Sequence, residues 1–100
     1  MLQVVEGMRY QSASEEIIYK ITTTNWGSSP TTISAVVYDE KPFTDVTTTV
    51  LPTNTPTASG DVITLSPLKL LTKGHTYRVE VKFTSSSSIW ECFFRVYCEI

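Results

Sequence analysis

The residues that could do chemistry in this 100-residue chain are few: one histidine, His75, two cysteines, Cys92 and Cys98, and four acidic residues beside turn signals, Asp39, Glu40, Asp45 and Asp61. Nucleophilic catalysis needs a base held against a hydroxyl or thiol in a shaped cleft. His75 lies in "LTKGHTY", and no nearby spacing sets a nucleophile against it, so it reads as a solvated loop residue. Zinc asks for about four nitrogen or sulfur ligands, and His75 with two thiols of one distant segment falls short. The four acidic residues match no calcium loop. The four glycines are isolated, so no phosphate-cradling loop is present. The expectation is a protein that is not an enzyme, with no metal and no cofactor.

The elements that would carry these residues read as β-structure. Ser and Thr are abundant and are punctuated by Val, Ile, Tyr, Phe and Trp. Seven strands are expected: a weak one within 2–9, then 16–24, 32–39, 45–51, 61–65, 76–84 and 89–99. In "SASEEIIYKI" the "SEE" could cap a helix, but Ile17, Tyr19 and Ile21 alternate, which favours a strand. Breakers separate the strands: "NWGSSP", "DEKPFTD", "PTNTPTASGD", "SPLKLLTKG", and "SSSS" as a hairpin tip. Short strands with turns every 8–12 residues are the grammar of a two-sheet sandwich. One domain spans 1–100, with 1–11 as an N-terminal arm or a first strand.

Net charge of −2 and scattered Lys and Arg offer no basic field for nucleic acid or anionic lipid. No apolar run approaches the roughly 20 residues of a membrane span, and "MLQVVEGMRY" lacks the pattern of a signal peptide. Cys92 and Cys98 fall six residues apart in one expected strand, about 20 Å at strand rise. A disulfide needs Cα atoms within about 7 Å, so both are expected as free thiols, as in a reducing compartment.

One stretch points to topology. In "LTKGHTYRVEVKF", Val79, Val81 and Phe83 alternate with Arg78, Glu80 and Lys82, and Tyr77 shares the buried parity. Gly74 stands where the chain must turn between sheets, and glycine tolerates positive φ. The spacing Leu71-x-x-Gly74-x-x-Tyr77-x-Val79-x-Val81 resembles the E–F corner of immunoglobulin-like and fibronectin type III domains. There a tyrosine hydroxyl bonds back to the backbone a few residues upstream. The fold class expected is therefore all-β: an immunoglobulin-like or fibronectin III-like Greek-key sandwich of about seven strands, with Tyr77 as a clip.

The last strand gives the candidate interface. Trp90, Cys92, Phe94, Val96 and Cys98 share an apolar face; Glu91, Phe93, Arg95, Tyr97 and Glu99 share the other. Two aromatics on a face that should meet water are an exception to be explained. Either they pack on the stems of Arg78 and Lys82, with ion pairs to Glu91 and Glu99, or Phe93, Arg95 and Tyr97 form a docking surface. The strand is also expected at the edge of its sheet, open to strand addition. Trp26 in "TTNWGSSP" either caps the core or joins the interface.

The segments "SASEEIIYKI", "DVTTTVL", "SGDVITL", "LTKGHTYRVEVKFTSS" and "WECFFRVYCEI" resemble small immunoglobulin-like proteins encoded among phage structural genes, over roughly 12–100. The resemblance implies a virion or prophage structural protein, an adaptor of a tail or head-to-tail connector. It implies partners that are other phage structural proteins or further copies of the chain, and a life in bacterial cytoplasm during assembly, then in the virion. A fibronectin-like binding module for a glycan or cell-surface ligand, using Trp26, Phe93 and Tyr97 to stack on sugar rings, is the alternative.

Overall fold

A computed structural model describes residues 2–3, 8–23, 29–40 and 43–99. Nine strands are formed among the described residues: β1 (Leu2–Gln3), β2 (Arg9–Gln11), β3 (Lys20–Thr22), β4 (Thr31–Glu40), β5 (Phe43–Asp45), β6 (Thr57–Ser59), β7 (Val62–Thr64), β8 (Thr76–Ser85) and β9 (Ser88–Cys98). One helical turn, α1 (Thr47–Val50), lies between β5 and β6. The large sheet runs β1-β9-β8-β4-β5, with β2 also on β9, and the small sheet runs β3-β7-β6. The protein is an all-β sandwich, as the turn spacing predicted.

Alternation builds the core. Tyr77, Val79, Val81 and Phe83 of β8 are buried, as are Cys92, Phe94, Val96 and Cys98 of β9. These two strands pair over their full length, from Thr76 opposite Tyr97 to Ser85 opposite Ser88. Their two-residue loop, Ser86–Ser87, has both residues at positive φ (50° and 72°), the twist a tight hairpin needs. Both cysteines are free and buried, and burial pushes the Cys92 thiol up to about 11.

The expected sheet edge is not one. With β8 on one side of β9, β1 and β2 take the other in parallel, Leu2–Gln3 opposite Cys92–Phe93 and Arg9–Gln11 opposite Val96–Cys98. An unpaired strand edge leaves backbone donors and acceptors without partners, and β1 and β2 supply partners along Cys92–Phe93 and Val96–Cys98.

The expected strand 45–51 is also corrected. The Asp45 carboxylate accepts from the Thr47 amide (2.9 Å) and the Thr47 hydroxyl (2.7 Å). These bonds, the side-chain one foremost, hold the Asp45 carboxyl below its usual range. The chain then curls into α1, with Val50 N–H bonded to Val46 O. The Thr47 hydroxyl in turn accepts from Val37 N–H (2.9 Å) and Asn54 Nδ2 donates to Ala35 O (2.9 Å), so side chains occupy the β4 rim beyond β5. A local Asp–Thr turn outweighs the β propensity of three threonines. The segment "PTNTPTASGD", read as a turn, holds β6. It pairs with β7 across Gly60–Asp61, where Gly60 takes φ 59°. Of the expected strand 16–24, whose last residue lies outside the described residues, β3 forms at Lys20–Thr22, with an isolated bridge from Ile17 to Leu68.

Gln11 is fully buried at the end of β2. Its Nε2 donates to Leu68 O (2.7 Å) and Glu15 O (3.0 Å), and its Oε1 accepts from the Tyr19 hydroxyl (2.9 Å). The amide thus ties the arm to the chain entering β3 and to the segment before the corner. Tyr19 packs on Phe94 (5.2 Å between ring centroids), and burial, above all, pushes its phenol up to about 12.

Candidate functional site

His75 is not solvated loop. Its Nδ1 lies 2.7 Å from Asp39 Oδ2, with the two side chains 27% and 13% exposed. The backbone explains this. Cys98 N–H donates to His75 O and Gly74 N–H to Cys98 O, so the corner loop is zipped to the end of β9. That carries the imidazole over the last residues of β4. An aspartate that fixes a histidine ring is half of a catalytic relay, but the thiol of the strand that His75 bonds, Cys98, is fully buried. The carboxylates weighed for calcium are each engaged apart: Asp39 by His75, Glu40 by Arg95, Asp45 by Thr47, and Asp61 by the Ser29 amide (3.0 Å). Among the described residues no group of three or more His, Cys, Asp or Glu could hold a metal ion.

At the corner, the Tyr77 hydroxyl accepts from Thr72 N–H at 2.7 Å, five residues upstream. Leu71 and Tyr77 are buried, and Gly74 stands at φ 84°. Leu71 and Tyr77 are thus core residues of the corner, and Gly74 is its exposed turn.

The informative surface is the outer face of the large sheet. Phe93, Arg95 and Tyr97 sit there together, each half-buried. The Arg78 guanidinium lies over the Phe93 ring, 3.9 Å from its centroid, and that of Arg95 lies 5.7 Å away. A cation over an aromatic face is worth roughly 0.5–1 kcal/mol at such a surface. Arg78 Nε is 2.9 Å from Glu80 Oε2, a close ion pair without the alignment of a hydrogen bond. The Arg95 Nε pairs with Glu40 on β4 (3.3 Å), an ion pair not anticipated from the sequence.

Three further aromatics, not anticipated as site residues, complete the face. Tyr10 of β2 meets Tyr97 edge-on (6.2 Å, 83°). Phe43 of β5 stacks on Tyr38 of β4 (4.7 Å, 16°). Tyr10 and Phe43 are 59% and 61% exposed. Tyr38 was legible, since it alternates with the buried Ala35 and Val37; Tyr10 and Phe43 lie in segments read as an arm and a turn. Trp26, the fourth expected interface residue, lies outside the described residues.

Compared with protein-family models, with curated proteins and with solved structures, the chain matches none.

Proposed function

We propose that this chain is a non-catalytic, immunoglobulin-like structural module that works by protein–protein contact through the outer face of its large sheet, as an adaptor in a phage or prophage particle. One observation carries the contact reading: five aromatics and two arginines share that face across β2, β9, β8, β4 and β5. Tyr, Phe and Arg are the residues enriched at interface centres and among binding hot spots. The particle is supported by the resemblance of 12–100 to phage structural proteins alone, and the immunoglobulin-like topology by that resemblance and the Tyr77 corner.

A photo-reactive phenylalanine analogue at position 10 or 43 should give protein adducts in a producing cell, and one at Leu70, which is exposed elsewhere, should give none. Adducts from Leu70 alone would move the contact off this face. The chain should co-purify with particles; its absence from them would remove the particle and leave the contact. The glycan-binding reading keeps one support, the exposed rings of Tyr10 and Phe43. Phe93 does not serve it on the side that Arg78 covers.

A further inference from the structure

The registers of the large sheet place its two most exposed aromatics in one row. Tyr10 opposes Tyr97, and Tyr97 opposes Thr76. Asp39 opposes Tyr77, so one step along β4 Glu40 is level with Thr76, and Glu40 opposes Phe43. Tyr10 and Phe43 therefore stand at the same height on opposite flanks, two strands either side of β8, about 10 Å each way at normal strand spacing.

A row with this layout is self-complementary. Rotation by 180° about a line along β8, lying in the plane of contact, sets Tyr10 of one copy over Phe43 of the other, and the reverse. We infer that the outer face of the large sheet packs against the same face of a second copy of this chain, about such a twofold axis. The inference rests on reading the face as a protein contact and names the partner.

Charge and area agree. Arg78 pairs with Glu80 and Arg95 with Glu40, so these charges are balanced within the face. It needs no oppositely charged partner, and a twofold contact brings together two surfaces of identical charge. Five strands by the seven residues from Glu91 to Tyr97 give a footprint about 20 Å on a side, or about 400 Å² in projection and more with side-chain relief. A standard interface buries about 800 Å² per partner. The face suits a small, reversible dimer, its sheets about 10 Å apart.

Sedimentation velocity over a hundredfold concentration range should show mass moving from monomer towards twice that value. The double change Tyr10→Asp with Phe43→Asp should weaken association at least tenfold, and Leu70→Asp should leave it unchanged. The geometry has its own test, which single changes at two exposed positions leave foldable. Chains carrying Tyr10→Cys and chains carrying Phe43→Cys are mixed and treated with a bismaleimide that spans about 10 Å, the spacing of packed sheets; the native thiols are buried. The mixture should crosslink at least severalfold more than either variant alone. Crosslinking of each variant to itself at the same level overturns the twofold arrangement, and a monomer at every concentration overturns self-association. If that monomer still gives adducts with another protein from position 43, the contact reading stands and only the second copy is lost. If it gives none, both fall.

Discussion

The Thr72 amide donates to the Tyr77 hydroxyl across 2.7 Å, joining the loop between the sheets to the first turn of β8. Tyr77 is buried, so Tyr77→Phe leaves that N–H with no acceptor in place. The bond is part-buried and Thr72 itself is exposed, so the expected loss is about 1 kcal/mol, the net worth of one hydrogen bond. Urea unfolding measures it, and a loss near zero would mean that water takes over the bond.

Gln11 links three segments through one amide. Gln11→Ala removes its three hydrogen bonds and leaves a cavity, and should destabilise by about 3–5 kcal/mol. Tyr19→Phe removes one of those bonds and should cost about 1 kcal/mol. A ranking reversed in urea titrations would place the knot at Tyr19.

Both thiols should be silent in the folded protein. Cys92 and Cys98 are buried, and burial raises the Cys92 pKa to about 11. Only thiolate reacts with a disulfide reagent. Ellman's reagent at neutral pH should titrate no thiol rapidly before denaturation and two after it. One fast thiol in the native protein would show that β9 opens locally.

Alkaline pH should weaken the fold in a defined window. Cys92 rises from an ordinary value of 9.0 to about 11 and Tyr19 from 10.0 to about 12. The folded state binds each proton more tightly than the unfolded state does. The stability contributed is fully present below pH 9 and is lost as pH climbs through 11 and 12. Tyr19→Phe should flatten the upper part of that decline, above about pH 10. An unchanged slope from pH 10 to 12 would free Tyr19 of any part in it.

Thr47 should prove structural in spite of its place in a plain threonine run. Its hydroxyl stands between Asp45 and Val37 N–H. Thr47→Val keeps the shape and removes both bonds, with an expected cost of about 1–2 kcal/mol. Thermal unfolding beside Thr48→Val, at an exposed position, separates this from a change of propensity.

What could be read from the chain alone was what local periodicity and spacing encode. Alternation in 76–84 and 89–99 gave the two long strands and their buried sides, because side chains on a strand switch faces at every residue. The Leu71, Gly74 and Tyr77 spacing marked the corner, because its hydrogen bond closes within five residues. The rest depended on contacts between segments far apart in sequence. Whether β9 was an edge turned on the arm, which returns from more than 80 residues away. His75 is tied down because Asp39, 36 residues away, lies at the end of β4. Segment 45–51 became a turn once Thr47 could meet Val37. The outer face was half legible. Phe93, Arg95 and Tyr97 showed themselves within one strand, whereas Tyr10 and Phe43 came level only when five strands were set in register. No pattern along the chain carries that alignment, because hydrogen bonds between strands create it.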